Sequence, residues 1–309
     1  MGTPDFAVPV LSALLLEEDF EIVAVITAVD RQGGRGRKQL IESPVKKLAL
    51  QNGLEVFQPS NLKSKAFVKR IQELDPDLAV VVAFRMLPEC IWSIPKFGTI
   101  NLHASLLPAY RGAAPINWSI IRGDKITGLT TFLIAKEIDT GALIYQQSIE
   151  IAANDDAGSL HDKMLQIGPN LVIKSVKNLL EERVIFQKQD EAKVTLAPKL
   201  FKHNTQIDAN LSAEEVHNFI RGLSPHPGAW TLLDGSILKV FKSAYTVHPH
   251  THMPGRITSD GRRSLKIFCQ DGFVELLELQ LQGKKRMDIR SFLNGYNVSE
   301  SSEVMLESS

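Results

Sequence analysis

The sequence predicts an α/β protein: a doubly wound, mainly parallel sheet followed by a small antiparallel barrel of the OB kind. Three observations carry this. Apolar runs such as Ile22–Ile26 and Leu78–Ala83 (LAVVVA) alternate with amphipathic helical stretches, the pattern of a buried parallel sheet covered by helices. A long amphipathic stretch over 155–182 closes that part of the chain. Beyond 210, turn pairs recur at Asp234-Gly235, Pro254-Gly255, Asp260-Gly261, Asp271-Gly272 and Gln282-Gly283, the punctuation of short antiparallel strands.

Taken in order, residues 8–18 form an amphipathic helix and Ile22–Ile26 a buried strand. Helix followed by strand is half of a βαβ unit, so a further strand is expected ahead of Gly2. Residues 28–43 are a Gly-rich basic loop carrying Arg31, Arg35, Arg37 and Lys38. Ser43 is placed to cap a helix starting at Pro44 and running to about Asn52, with a short strand at Leu54–Phe57 beyond it. Asn61 is read as the cap of a helix over 63–74, which stops before Asp75-Pro76. Strands at Leu78–Ala83 and Gly98–Leu102, a helix at 115–122 and strands at 129–135 and 142–149 complete the sheet. The pattern loosens from 188 to 210, and a helix near 212–221 precedes the barrel strands. The expected domains are 1–187, a linker over 188–210, and 211–309.

Composition narrows the classes. Hydrophobic residues make up 44% of 309, enough for a packed core, and the net charge of zero excludes general attraction to nucleic acid while leaving local patches open. Cys90 and Cys269 stand alone, far apart, and are read as reduced core thiols of a cytoplasmic protein. No apolar span of membrane length occurs.

The chemistry concentrates at 98–114, GTINLHASLLPAYRGAA. On a strand Asn101 and His103 point the same way, while Leu102 points into the core. An imidazole that titrates near neutrality is suited to deprotonating an amine, and an amide N–H to an oxyanion. Asp139, in Ile-Asp-Thr-Gly, is a carboxylate able to support that imidazole. Ser105 lacks a nucleophile elbow and neither Cys has a His nearby in sequence, so direct, non-covalent acyl transfer to an amine is favoured. Basic residues at 31–38 and at Lys284, Lys285 and Arg286, with Lys239 and Lys242 nearby, suit the phosphates of an extended anionic substrate. The His248-Pro-His250-Thr-His252 run lacks Cys or carboxylate partners and is read as a loop, so no metal is expected. Leu223–Trp230 (LSPHPGAW) is read as structural.

These motifs resemble the methionyl-tRNA formyltransferases over essentially the whole chain: GTPDFAVPVL at 2–11, DRQGGRGRK at 30–38, SPVK at 43–46, NLHASLLPAYRGAAPI at 101–116, IDTG at 138–141 and SPHPGAW at 224–230. The resemblance implies a Rossmann-like catalytic domain that uses 10-formyl-tetrahydrofolate and an OB-like domain that helps hold initiator tRNA, in a cytoplasmic, monomeric enzyme of translation initiation. It assigns catalysis to Asn101, His103 and Asp139, and a pterin pocket to Phe84, Arg85, Met86 and Leu87, with Ser105, Leu106, Leu107 and Pro108 as another wall. It assigns tRNA contacts to Arg31, Arg35, Arg37, Lys38, Lys284, Lys285 and Arg286. Two departures stand out. The family's short apolar strand ahead of Gly-Thr-Pro-Asp-Phe has no counterpart here, and an upstream start is expected. Phe84-Arg85 stands where many members have Tyr-Gly. Formylation of glycinamide ribonucleotide is disfavoured by the second domain, that of an amino-sugar nucleotide by the basic loop. A tRNA-binding protein with an inactive site is disfavoured by the intact trio.

Overall fold

The computed structural model describes residues 1–33 and 39–298. In chain order the elements are α1 (Val8–Leu15), β1 (Val25–Ile26), β2 (Arg31–Gly33), β3 (Gln39–Ile41), α2 (Pro44–Gln51), β4 (Val56–Phe57), α3 (Lys65–Glu73), β5 (Ala79–Val82), α4 (Glu89–Trp92), β6 (Thr99–His103), β7 (Arg111–Gly112) and α5 (Pro115–Ile121). There follow β8 (Ile126–Leu133), β9 (Leu143–Glu150), α6 (Ala157–Leu180), β10 (Leu196–Ala197), α7 (Ala213–Gly222), β11 (Ala229–Leu233), β12 (Ser236–Val247), β13 (Ile257–Ser259), β14 (Leu265–Phe268), β15 (Gly272–Leu281), β16 (Met287–Asp288) and α8 (Ile289–Gly295). They form two compact units: Met1–Gly112 with Thr127–Ile149 and His161–Leu196, and Ala113–Ile126 with Glu150–Leu160 and Ala197–Ser309. Both units draw on non-contiguous segments, and residues 188–210 are shared between them.

Local signals explain several helices. Ser43 Oγ accepts from the Lys46 amide ahead of Pro44, a satisfied N-cap for α2. The cap of α3 is Ser64, not Asn61, whose side chain instead accepts from the Lys63 amide one turn earlier. A reciprocal Ser212–Glu215 box opens α7.

The first unit's sheet is mixed, parallel on one side of β6 and antiparallel on the other. β5 and β6 run parallel, with Val81 opposite Asn101, but β8 is antiparallel to β6 and pairs Thr130 with His103. β9 continues on the far side of β8. On the other flank β1 pairs in parallel with β4. Between β1 and β5 the place of a strand is held by two residues: the Gly2 amide donates to the Ile26 carbonyl at 3.0 Å and the Val82 amide to the Met1 carbonyl at 2.9 Å. Only Val25–Ile26 of the expected strand Ile22–Ile26 is paired, because Ile22–Ala24 has no pairing neighbour among the described residues. In its place lies a cavity of about 380 Å³ lined by Val10, Leu14, Ile22, Ala24, Leu78 and Val80 among others. The Met1 α-amine, donating to the Val80 carbonyl at 2.7 Å, is buried, and desolvation lowers its pKa to about 5.

The second unit is an antiparallel sheet in the order β11-β12-β15-β14-β13, with β16 paired to β15. Its core gathers Ile207, Val216, Ile220, Leu238, Val240 and Leu276, with α7 lying on β12. Among the described residues no pairing joins β11 to β13. Cys269 is buried, its thiol pushed up to about 12 by desolvation, whereas Cys90 is exposed and not the core thiol expected. No described helix is long and apolar enough to cross a membrane.

Candidate active site

β6 is central in the continuous part of the first unit's sheet, and alternation puts Asn101 and His103 on one face near its C-terminal end. The His103 ring is 6% exposed and meets Phe132 edge-on at 6.4 Å. Its Nε2 lies 2.8 Å from the Tyr110 carbonyl. A carbonyl only accepts, so Nε2 carries the proton of the neutral imidazole and Nδ1 is left as the base. Nδ1 lies 3.7 Å from Asp139 Oδ2. The same carboxylate oxygen accepts the Gly112 amide at 2.9 Å, so loops 104–112 and 134–142 converge on one imidazole.

Strand direction alone does not bring Asp139 here. β8 runs away from His103, and the loop after Leu133 must fold back to return. Two backbone features fit that return. Asp139 has φ 56°, and a Cβ on Gly141 would sit 1.6 Å from the Leu133 carbonyl oxygen, so only glycine fits. Asn101 makes no side-chain hydrogen bond among the described residues, and its amide is half-buried beside the base.

The remaining expected site residues are placed unevenly. Phe84, Arg85, Met86 and Leu87 leave the C-terminal end of β5, next to the end of β6 that carries His103. Met86 is 73% exposed, Phe84 is half-buried, and Leu87 is packed in the core with Val81 and Ile91. Arg85 donates to the Pro59 and Ser60 carbonyls, so the departure from Tyr-Gly ties this loop to a neighbour. On the other wall, Ser105 is fully buried with its hydroxyl spent on the Ala109 carbonyl. Thr130 and Gln146 clamp this wall through the Ser105 and Leu107 carbonyls. Leu107 packs with Phe132 and Leu143, leaving Leu106 and Pro108 half-buried.

Arg31 is exposed on β2, beside an Asp30 carboxyl held low by hydrogen bonds from Lys46 and Gln58. Arg35, Arg37 and Lys38 lie outside the described residues. In the second unit Lys284 and Lys285 are exposed in the turn after β15. Arg286 is engaged: it donates two hydrogen bonds to Glu278 and stacks 4.3 Å over Phe241. His250 and His252 pack against Phe268, and no described group of His, Cys or acidic residues could hold a metal.

Sequence reasoning missed the Tyr110 carbonyl, which sets the imidazole tautomer, and Gln189, which lies under the Asp139 loop. Neither carries a local signal. A carbonyl belongs to every residue, and Gln189 sits in a stretch that reads as polar linker.

Residues 1–176 match the formyl transferase family and residues 199–297 its C-terminal domain, so the chain belongs to the formyltransferases. Within that class the chain belongs to the methionyl-tRNA formyltransferases. It is 47% identical to the methionyl-tRNA formyltransferase of Bacteroides fragilis, over 97% of this chain and 95% of that one. It is 43% identical to that of Caldanaerobacter subterraneus subsp. tengcongensis, over 97% of each. Among solved structures it is similar to a sugar 3N-formyltransferase, WlaRD, crystallised with dTDP and 5-N-formyl-THF. The TM-score is 0.67 at 20% identity, covering 92% of this chain and 97% of that one. A second fold match is the N-formyltransferase of Helicobacter canadensis in complex with folinic acid and dTDP-3-aminofucose. Its TM-score is 0.65 at 21% identity, over 89% and 96% of the two chains.

Proposed function

We propose that this enzyme moves the formyl group of 10-formyl-tetrahydrofolate to the α-amine of methionyl initiator tRNA, with His103 as base, Asn101 as oxyanion donor and Asp139 as the imidazolium's partner. The observation that carries the reading is the single open nitrogen of His103: Nε2 is committed to Tyr110, so a proton can land only on Nδ1, 3.7 Å from Asp139 Oδ2. The neutral amine attacks the formyl carbon, forming the new C–N bond and a tetrahedral oxyanion. The Asn101 amide donates to that oxyanion, an interaction worth about 3 kcal/mol in comparable sites. Nδ1 takes the amine's proton, and the imidazolium so formed is stabilised by Asp139. Collapse breaks the bond to N10 of the folate, and the imidazolium returns the proton to that nitrogen.

The surroundings support a folate donor. Loops 83–88 and 104–108 flank the reacting face with half-buried and exposed apolar side chains (Phe84, Met86, Leu106, Pro108), suited to an aromatic ring system. Basic residues on both units suit tRNA phosphates: Arg31 with Arg35, Arg37 and Lys38, and Lys284, Lys285 and Arg286. Within this reading residues 1–187 catalyse, 188–210 link, and 211–309 form an OB-like module holding tRNA in a cytoplasmic, monomeric enzyme. No metal has a part in these steps.

The test is formylation by the purified protein of methionyl initiator tRNA, with methionyl elongator tRNA and a dTDP-linked amino sugar as competing acceptors. Turnover confined to the initiator is expected. Equal turnover of elongator, or preference for the sugar, overturns the acceptor assignment.

A further inference from the structure

Asp139 presents its carboxylate to His103 from a loop held in a left-handed backbone conformation, with φ 56°. Such a conformation costs a non-glycine residue free energy and persists only where its surroundings impose it. The element that imposes it lies fifty residues on in sequence. Gln189 is 4% exposed, and its Nε2 donates to the Asp139 carbonyl at 2.8 Å and the Gly141 carbonyl at 2.9 Å. It thereby grips the backbone on both sides of Thr140.

The orientation of that amide is not free. Gln189 Oε1 accepts from Arg111 Nε at 3.0 Å and from Nη2 at 2.8 Å. A guanidinium has no acceptor, so the oxygen must face Arg111 and the NH₂ must face the two carbonyls. Arg111 is itself 7% exposed and makes a two-pronged pair with Glu191, at 2.8 and 3.1 Å, which holds the Glu191 carboxyl below its usual range. Arg111 also stands between the two backbone groups that finish the site: the Tyr110 carbonyl on His103 Nε2 and the Gly112 amide on Asp139 Oδ2. One side-chain bracket therefore fixes the loop that bears the carboxylate and the loop that sets the imidazole tautomer.

We propose that Gln189 is a positioning residue for formyl transfer, acting through Asp139. By holding the Asp139 and Gly141 carbonyls it keeps the carboxylate against Nδ1 of His103 as that nitrogen takes up charge, and Arg111 locks the amide in the orientation that does so. This rests on the catalytic reading of His103 and Asp139 given above. A carboxylate displaced by about 1 Å is enough to cost on the order of a hundredfold in rate.

The experiment measures kcat and KM for both substrates in the full-length protein carrying Q189E, D139N, the Q189E/D139N pair, or E191A, with Tm recorded for each. Gln189→Glu keeps an acceptor for Arg111 but turns oxygens towards the two carbonyls. It is expected to lower kcat about 10- to 100-fold with both KM values within about twofold. In the D139N background it should slow the enzyme no further, since it acts through that carboxylate. Glu191→Ala, at an exposed position, loosens Arg111 and should cost about two- to fivefold in kcat with KM unchanged. This arm decides the matter if Q189E does not fold. Wild-type kcat in folded Q189E, losses that multiply in the double variant, or, with Q189E unfolded, wild-type kcat in E191A would overturn the proposal. Slow D139N beside normal Q189E would overturn this inference alone, whereas normal D139N would remove the role of Asp139 and this inference with it.

Discussion

The two flanks of the first unit's sheet are built from equally apolar runs and end up differently. On one flank β5, β6, β8 and β9 hydrogen-bond without interruption, and the catalytic candidates Asn101 and His103 sit on β6, paired on both sides. On the other, among the described residues, β1 and β5 are joined through Met1 and Gly2, beside a cavity of about 380 Å³. A run rich in β-branched residues becomes strand only as far as it has a partner, which is why Val25–Ile26 pairs and Ile22–Ala24 does not. The side chains proposed to react thus stand on the strand whose ladder is complete on both sides.

The comparison breaks first at the chemistry. Replacing His103 by Ala should lower kcat about 10²- to 10⁴-fold, and Asn101→Ala about 10²- to 10³-fold, with KM for tRNA little changed. Single-turnover formylation checks this. If either variant kept near-normal rates, the continuous flank would be scaffold only.

The next effect lies on the interrupted flank. In a protein that begins at Met1, the α-amine has its pKa lowered from 8.0 to about 5 by burial, so the folded chain keeps it neutral where the unfolded chain binds a proton. Between about pH 5 and 8 the unfolded state therefore binds more protons, and stability rises with pH across that window. The contribution is fully present above about pH 8 and is lost as pH falls towards 5. The full span corresponds to about 4 kcal/mol, from roughly 1.4 kcal/mol for each pH unit. Urea titrations from pH 5 to 8 should show this slope, and acetylating the α-amine should remove it. An unchanged slope after acetylation would place the pH dependence elsewhere.

Filling the cavity sharpens the same contrast. An apolar strand appended ahead of Met1 would cover Val10, Leu14, Ile22 and Val80, which line this cavity, and should stabilise the fold. The urea midpoint should rise while kcat stays constant, because the catalytic face lies beyond β5. A changed kcat would mean that the interrupted flank is coupled to the site.

What could be read from the sequence was what residues decide among near neighbours. Ser43-Pro44 starts a helix and Asn101-x-His103 shares a strand face, because both are fixed within a few positions. Asp139 was legible as a chemical type but not as a geometry: β8 runs antiparallel to β6, and the return of the loop depends on Gly141 fitting against the Leu133 carbonyl. Gln189 was illegible because its partners, Arg111 and the Asp139 loop, are 78 and 50 residues away. Asn61 was read as the cap of α3, but the helix begins at Lys65, so Ser64 caps it and Asn61 accepts from the Lys63 amide instead.

The smallest expected effect tests whether the flanks divide binding from chemistry. Arg31 is exposed on the β2–β3 hairpin, which pairs Arg31 with Ile41 and leads out of the β1 side of the sheet. Its guanidinium makes no ion pair among the described residues, so its loss should leave the fold intact and subtract about one phosphate contact. Arg31→Ala should therefore raise KM for tRNA a few-fold, lower the slope of log KM against log salt by about 1, and leave kcat unchanged. Lys284→Ala, in an exposed turn of the second unit, should do the same by a similar amount. A fall in kcat with Arg31→Ala would mean that the hairpin also orients the acceptor amine, and the division between a binding flank and a reacting flank would fail.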